Sequence, residues 1–387
     1  MQKSVVIIGG GASGILSSII FKENGWDVCL LEKGERIGKK LLCTGNGKCN
    51  LTNLNVSLDD YNTPFVKDII QRYSPEVVMK YFESLGLIMR VDDEKRVYPY
   101  SESATTILNV LLQKLSQSGV KTICECTAEK IVQKGDMWIV KTSKGDFEAD
   151  KVVLATGSDA TMGTNSHYLY TSLGHRMTKT EYAIAPLLCD DIKGANGVRA
   201  KVLATMYIDG EIVMSERGEF LFKDNALSGV LAFRLSSMLA RRKGEFKDCK
   251  IVIDFLPDYS IEKLKEHIFN YSNVFNPLEG ILHKAIAQNV IGRVPMDRSL
   301  IMSEQKALNL AKGCKHFEVK VKKVAGRQSA QVMSGGLDTR DFDNITLESK
   351  LKKGLYCTGE ALDVDGLCGG YNLHWAWASA MACGGKK

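Results

Sequence analysis

The chain has 387 residues, of which 44% are hydrophobic and 25% are charged, and its formal net charge is +6. This length predicts two or three domains with a sizeable core, and the composition is ordinary for a globular protein. The charge is small for the length and no basic run is long enough for a nucleic-acid-binding arm, so we predict no nucleic-acid partner.

The lack of targeting signals and the spacing of the cysteines indicate the cellular compartment. The first strand pattern begins at residue 4, which leaves no room for a signal peptide, and polar residues interrupt every apolar stretch before the roughly 18 residues of a membrane span. The eleven cysteines form no C-x-x-C pair, which argues against a disulfide framework, a zinc ribbon and a dithiol relay. We expect a cytoplasmic protein without a membrane span or a metal site.

The first motif joins a strand, a glycine turn and a helix. The apolar run Ser4–Ile8 leads into GGGASG at residues 9–14, and helical periodicity follows as far as Asn24. In such a turn Gly9 allows the tight bend, Gly11 lets the backbone approach a pyrophosphate, and Gly14 lets the helix pack close to the strand. The helix N-terminus adds free N–H groups and a partial positive charge, so we predict a dinucleotide site.

The next strand pattern ends in an acidic residue. Glu32 lies 18 residues after Gly14, near the roughly 20-residue spacing of an acid that binds a ribose hydroxyl pair. A surface glutamate at a strand end is the alternative, but the joint occurrence of turn, helix, strand and acid favours the ribose ligand. A carboxylate here would repel a 2′-phosphate.

Residues 33–53 are rich in Gly, Asn and Lys, and little in them predicts a packed core. They form either a structureless surface loop or a backbone segment that lies against the flat polar ring system of a ligand. We favour the ligand, because small residues and amide side chains suit such a contact.

The middle of the chain changes character several times. Residues from about 64 to 118 are mainly helical in pattern, with a helix over 103–117, and strands are predicted within 119–126 and 131–148. A buried strand over 151–157 then ends in a small-residue turn, as the third parallel strand of a flavin-type dinucleotide domain does. Residues 187–255 are predicted to be β-rich, 260–311 helical and 317–324 a strand.

The C-terminal stretch combines carboxylates with a glycine turn. A short strand pattern leads to Gly359-Glu360, and Gly369-Gly370 precedes a helix that runs to about residue 382. The carboxylates suggest a metal site, but oxygen ligands usually have more regular loop spacing. Instead we predict that Glu360 accepts hydrogen bonds from the ribityl hydroxyls of a flavin. The glycine turn would aim a helix N-terminus at the pyrimidine carbonyl, where its dipole stabilises the anionic reduced flavin.

Together these segments resemble the BaiN/YhiN-like flavoproteins, also described as aminoacetone-oxidase-family FAD-binding enzymes. The resemblance rests on the motifs at residues 9–14, 32–33, 38–41, 44–53, 154–157 and 359–372. It implies an α/β fold in which a Rossmann-like FAD-binding domain of the glutathione-reductase type is interrupted by a β-barrel-like insert and a small helical domain. The corresponding ranges are 1–186 with 328–387 for the FAD-binding domain, 187–256 with 314–327 for the β-rich insert, and 257–313 for the helical subdomain.

The resemblance and the motifs also imply a set of cofactor-binding residues. They are Gly9, Gly11, Ala12, Ser13, Gly14, Glu32, Lys33, Lys40, Thr44, Gly45, Asn46, Asn50, Thr156, Gly157, Gly359, Glu360, Gly370, Tyr371, Asn372 and Leu373. No catalytic residue is assigned: an ordinary hydrogen bond inside a helix explains His374, and packing in a tight loop explains Cys49. The family's insert commonly has a Thr-His-x-Gly-Leu-Ser-Gly-like stretch, whereas residues 223–229 of this chain are KDNALSG.

These features predict an FAD-dependent oxidoreductase that acts on a small organic substrate by hydride transfer at the flavin. The resemblance implies reduction of an enone C=C bond in a bile-acid-like compound. NADH or NADPH would bind transiently at the flavin face, because Gly335-Gly336 does not begin a helix and no clear second G-x-G-x-x-G is present. The alternatives are an aminoketone or amine oxidase that uses O2, and a flavin-binding regulatory protein without turnover.

Overall fold

The computed structural model describes residues 2–160, 166–190, 192–271, 277–295 and 302–385. The chain divides into two compact units. Unit 1 contains the residues up to Tyr182 and those from Gln331 onward, and unit 2 is Ala183–Ala330. The finer division into three domains stays a prediction.

The described residues contain both strands and α-helices along the whole chain. The described strands are β1 (Ser4–Ile8), β2 (Asp27–Leu31), β3 (Thr52–Asn53), β4 (Met89–Val91), β5 (Arg96–Pro99), β6 (Lys121–Ile123), β7 (Ala128–Lys134), β8 (Met137–Thr142), β9 (Gly145–Ala149), β10 (Lys151–Leu154), β11 (Glu181–Ala183), β12 (Leu187–Cys189), β13 (Arg199–Ile208), β14 (Glu211–Lys223), β15 (Ala226–Ser228), β16 (Cys249–Asp254), β17 (Phe317–Val324), β18 (Val332–Ser334) and β19 (Leu355–Cys357). The described α-helices are α1 (Ala12–Glu23), α2 (Lys67–Arg72), α3 (Pro75–Ser84), α4 (Ala104–Gln117), α5 (Tyr168–Thr171), α6 (Val230–Arg241), α7 (Ile261–Asn270), α8 (Lys284–Ile291), α9 (Glu304–Lys315) and α10 (Tyr371–Gly384).

Unit 1 is built on a five-stranded sheet of order β19-β10-β1-β2-β6, and every adjacent pair in it is parallel. The central strand β1 is apolar on both faces, and Val5 to Ile8 are all buried. Such a strand suits the middle of a parallel sheet that is covered on both sides. The antiparallel meander β7-β8-β9 precedes β10, and α1 packs against α10, where Gly384 lies close to Ile20 and Phe21. The Rossmann-type fold predicted from the first motif is confirmed.

Unit 2 contains a closed barrel of order β12-β15-β14-β13-β16-β17 with antiparallel neighbours. Its strands alternate buried and exposed residues, so that Met206, Phe220 and Ile251 face the core. The segment at residues 223–229 supplies β15 and the glycine before α6, so its departure from the family pattern falls in the barrel wall. The predicted barrel-like insert is therefore present.

Some local predictions are wrong. Residues 230–241 form α6 inside a segment predicted only as β-rich, and its buried Leu231, Leu235 and Leu239 recur at helical spacing. The segment predicted as mainly helical also contains the hairpin of β4 and β5, whose strands are too short to show alternation. In the described ranges, no helix combines the length and the apolarity needed to cross a membrane.

Candidate functional site

The glycine turn after β1 packs tightly on one side and is open on the other. Gly9 has a φ of +110°, and a Cβ there would lie 2.6 Å from the carbonyl oxygen of Ala155 at the end of β10. A Cβ on Gly14 would lie 1.8 Å from the carbonyl oxygen of Gly9, whereas a Cβ on Gly11 would meet no atom within 4 Å. A side chain at Gly9 or Gly14 would therefore clash with the protein backbone, whereas Gly11 borders open space.

The first turn of α1 presents unpaired backbone donors. Gly11 is its N-cap, and no side chain of the described residues caps it by a hydrogen bond. Ile15 N donates to Gly11 O, so the N–H groups of residues 12–14 have no acceptor within the helix. Free N–H groups and the positive end of the helix dipole attract an anion such as a pyrophosphate.

Glu32 lies at the end of β2 beside this turn. Its Oε2 accepts a hydrogen bond from Gly10 N at 2.7 Å and its Oε1 accepts one from Gly34 N at 2.6 Å. These two bonds fix the carboxylate, and each oxygen keeps a further acceptor site for a ligand hydroxyl. The position therefore suits a ribose diol.

A cavity of about 600 Å³ extends from this turn to the C-terminal helix within unit 1. Predicted cofactor residues that line it are Gly9, Gly11, Ala12, Ser13, Glu32, Lys33, Lys40, Thr44, Thr156, Gly157, Glu360, Asn372 and Leu373. They come from both ends of the chain, as the sequence analysis expected. The groups around the cavity fit the pyrophosphate and sugar parts of FAD. The uncapped N–H groups can donate to the pyrophosphate, the fixed carboxylate can accept from a sugar hydroxyl, and Gly11 leaves open space beside them.

The other predicted residues do not line the cavity. They are Gly14, Gly45, Asn46, Asn50, Gly359, Gly370 and Tyr371. A Cβ on Gly359 would lie 2.7 Å from Ser13 Oγ, and one on Gly370 would lie 2.8 Å from Asn50 Oδ1, so these two glycines allow close packing. Asn46 is exposed, and contact of all seven residues with a cofactor stays a prediction.

The loop before β3 (residues 33–51) and β3 itself are attached by polar contacts to α10 and to the glycine turn before it. His374 Nδ1 lies 2.9 Å from Thr52 Oγ1, Asn53 Nδ2 donates to Gly369 O at 3.1 Å, and Trp377 Nε1 donates to Leu51 O at 3.1 Å. The expectation that this loop contributes little core is wrong, because Leu51 is fully buried. The loop and the start of α10 thus form one wall.

Two side chains that the sequence analysis left without a catalytic role are fully buried in this wall. His374 is 0% exposed, and burial lowers its imidazole pKa to about 4. Cys49 is also 0% exposed, and burial raises its thiol pKa to about 12, so the reactive thiolate is absent near neutral pH. Both environments agree with packing and hydrogen-bonding roles.

At the other end of the cavity, the Glu360 carboxylate accepts hydrogen bonds from three groups. Its Oε2 accepts a hydrogen bond from Lys40 Nζ at 2.8 Å, and its Oε1 accepts bonds from Ser158 Oγ at 2.7 Å and Met333 N at 2.9 Å. The predicted ribityl ligand is therefore a carboxylate that is already fixed and charge-paired. Glu360 and Lys40 were both predicted from the sequence as cofactor-binding residues, but their pairing was not.

Several lining residues were missed. They include Arg36, Lys39, Cys126, Thr127, Ala128, Gln331 and Val332. Cys126 to Ala128 follow β6, and Cys126 N donates to Glu32 O at 2.9 Å, so sheet pairing brings them to the ribose end. Lys39 lies inside the quoted motif at residues 38–41 and could have been found there, whereas Cys126 and Gln331 carry no local signal.

Comparison with known proteins gives full-length matches. The family model described as "HI0933-like protein Rossmann domain" matches residues 3–386. The chain is 31% identical to the 3-dehydro-bile acid delta(4,6)-reductase of Clostridium scindens, over 98% of this chain and 97% of the relative. It is 27% identical to the ribosomal RNA dihydrouridine synthase of Escherichia coli, over 98% and 96%.

A solved structure supports the fold at lower identity. The 3-ketosteroid-delta4-(5alpha)-dehydrogenase of Rhodococcus jostii superposes with a TM-score of 0.50 at 14% identity, over 99% of this chain and 97% of that chain. At this identity the likeness concerns the fold alone.

Proposed function

Since the chain belongs to the HI0933-like family and is an FAD-dependent oxidoreductase, we propose that it reduces a C=C bond conjugated to a carbonyl group in a small polycyclic ketone, with NADH or NADPH as the hydride donor. The observation that carries this proposal is the 31% identity over almost the whole length to an enzyme named for bile-acid C=C reduction. Bound FAD would supply the hydride chemistry.

The names of the relatives describe different substrates with one shared feature. A 3-dehydro bile acid with delta(4,6) unsaturation has C=C bonds conjugated to its 3-oxo group. Dihydrouridine arises when the C=C bond beside a uracil carbonyl is saturated. In both cases hydride adds to the carbon remote from the carbonyl and a proton completes the product. Reduction of an electron-poor C=C bond is therefore the reaction class supported by both relatives.

The chain's own residues have clear roles in this proposal. The first turn of α1 would bind the pyrophosphate, and Glu32 would bind the adenosine ribose. The wall formed by the loop before β3 and the start of α10 would orient the ring, because hydrogen bonds of Thr52 and Asn53 join it to His374 and to the turn before α10. These assignments support FAD binding by unit 1.

The test begins with the absorption spectrum of the purified protein, followed by anaerobic addition of NADH or NADPH. We expect a flavin spectrum that bleaches with one nucleotide and recovers when a 3-oxo-delta4 steroid or bile acid is added, but not with its saturated analogue. A flavin that is bleached by aminoacetone and reoxidised by O2 would identify an oxidase instead. A flavin that responds to neither class would contradict the proposal and favour a binding protein without turnover.

A second candidate substrate is ribosomal RNA, because two relatives carry the name of ribosomal RNA dihydrouridine synthase. The charge distribution is compatible with it: residues 183–330 contain 23 Lys and Arg against 17 Asp and Glu, so the whole net charge of +6 lies in unit 2. Loss of dihydrouridine from ribosomal RNA in a deletion strain, restored by the gene, would favour this candidate. An unchanged dihydrouridine content of the ribosomal RNA would favour the small ketone as the substrate.

A further inference from the structure

The Lys40–Glu360 pair is an ion pair on the wall of the proposed cofactor cavity. Lys40 Nζ and Glu360 Oε2 are 2.8 Å apart, and the two side chains are 28% and 18% exposed. Both residues line the cavity, although 320 positions separate them in the chain. The pair is thus partly shielded from water and faces the space that a cofactor would fill.

Glu360 is held so firmly that its charge has a fixed position. Ser158 Oγ and Met333 N donate to Oε1, and Lys40 Nζ donates to Oε2. Without Lys40, two neutral donors would remain and no positive charge would offset the carboxylate beside the cavity. Removing one member of a shielded ion pair leaves an uncompensated charge, whereas removing both leaves none.

The charge of the Glu360 carboxylate would affect how easily a bound flavin is reduced. A bound flavin would receive two electrons and one proton as hydride from the nicotinamide nucleotide and would then carry one negative charge. The start of α10, where Asn372 and Leu373 line the cavity, favours such a charge through the helix dipole. An unpaired carboxylate on the same wall would oppose it.

We propose that Lys40 is a positioning residue that acts through Glu360: it neutralises this carboxylate so that the cavity stabilises the reduced, anionic form of its cofactor. The inference rests on the proposed function only in that FAD occupies the cavity. Glu360 keeps its place as a hydrogen-bond acceptor for the cofactor, and Lys40 sets the charge that accompanies it.

The test is the midpoint potential of the bound flavin, measured against reference dyes during slow enzymatic reduction. We expect Lys40→Met to shift the reduction equilibrium toward the oxidised form at least tenfold, which is about 30 mV for a two-electron couple. Glu360→Gln alone should shift it the other way, because the Lys40 charge is then unopposed. The double variant should lie within about threefold of the wild type, because the two opposite shifts cancel when both charges are removed.

A matched control is available in unit 1. Lys114 Nζ and Glu23 Oε1 are also 2.8 Å apart but do not line the cavity, so Lys114→Met should leave the potential unchanged. If Lys40→Met alone does not fold, Glu360→Gln compared with the double variant still measures the effect of the Lys40 charge on the potential. Equal potentials in wild type and Lys40→Met, or a double variant that keeps the full shift of Lys40→Met, would overturn the inference.

The measurement is independent of the substrate. If the flavin is bound and the variants behave as expected, failure to reduce enones contradicts the proposed function alone. If the flavin is bound and Lys40→Met leaves its potential unchanged, the inference alone fails. A wild-type protein that binds no FAD under saturating conditions would overturn both.

Discussion

Replacing Gly11 by alanine separates cofactor binding from folding. A Cβ at this position meets no protein atom within 4 Å, and the backbone φ of −83° is one that alanine adopts readily. The same substitution at Gly14 would place a Cβ 1.8 Å from the Gly9 carbonyl oxygen, so the backbone itself would have to move. Gly11→Ala should therefore fold normally, and Gly14→Ala should not.

The expected magnitudes follow from these contacts. For Gly11→Ala, the poorer N-cap costs about 0.5–1 kcal/mol and the lower entropy of the unfolded chain returns about 0.4–1 kcal/mol, so the free energy of unfolding should change by less than about 1 kcal/mol. In the complex, the added methyl group would press against the pyrophosphate. An overpacked contact costs about 1–3 kcal/mol, which raises the FAD dissociation constant about 5- to 150-fold.

The assay is titration of the apoprotein with FAD by calorimetry, combined with urea unfolding. Gly280→Ala is the matched control, because a Cβ there also meets no atom within 4 Å and Gly280 lies in unit 2. This control should bind FAD as the wild type does. Wild-type FAD affinity in Gly11→Ala, with the variant correctly folded, would refute the assignment of the turn to the pyrophosphate.

Three further predictions concern Glu32 and the wall behind the cavity. Glu32→Gln removes the negative charge and replaces one acceptor oxygen of the proposed ribose site by an NH2 group that can only donate, so the FAD dissociation constant should rise at least tenfold by calorimetry; an unchanged value would contradict the ribose role. His374 binds fewer protons when folded, because its pKa falls from 6.5 to about 4. Stability should therefore decrease by about 3 kcal/mol as the pH drops from 6.5 through 4, and Tm measured against pH should lose this component in His374→Gln. Thr52→Val leaves His374 Nδ1 without that partner and should cost about 1–3 kcal/mol in urea unfolding, whereas a loss below 0.5 kcal/mol would mean that the contact is unimportant.

The parts of the fold that could be predicted are those with a local signal. Strand β1, helix α1 and strand β2 follow each other within residues 4–31, and each has its own periodicity and its own stop. Glu32 could be chosen because its distance from Gly14 along the chain reflects the length of one helix and one strand. Helix α6 had a comparable signal in its leucine spacing and was missed because strands lie on both sides of it.

The loop before β3 shows why other parts could not be predicted. Its composition is polar and small, yet Leu41, Cys49 and Leu51 are almost completely buried. Asn46 and Cys49 have φ values of +59° and +54°. Residues other than glycine rarely adopt this left-handed backbone conformation, and they do so where the surrounding structure holds it. The chain directly after these two residues is held by α10, more than 300 residues later, through hydrogen bonds to Leu51 and Thr52, and no local pattern in the loop indicates these contacts.

The same argument explains why the pairing of Lys40 with Glu360 escaped the sequence analysis although both residues were named. Each lies in a recognisable motif, but a motif states which residue types are present and not which of them meet across the cavity. The parallel sheet supplies this information: β2 and β19 lie in one sheet with β1 and β10 between them, so the segments that follow β2 and β19 emerge at the same edge. A lysine after one strand can therefore balance a carboxylate after the other, and the charge of the cavity is a property of the topology rather than of either motif alone.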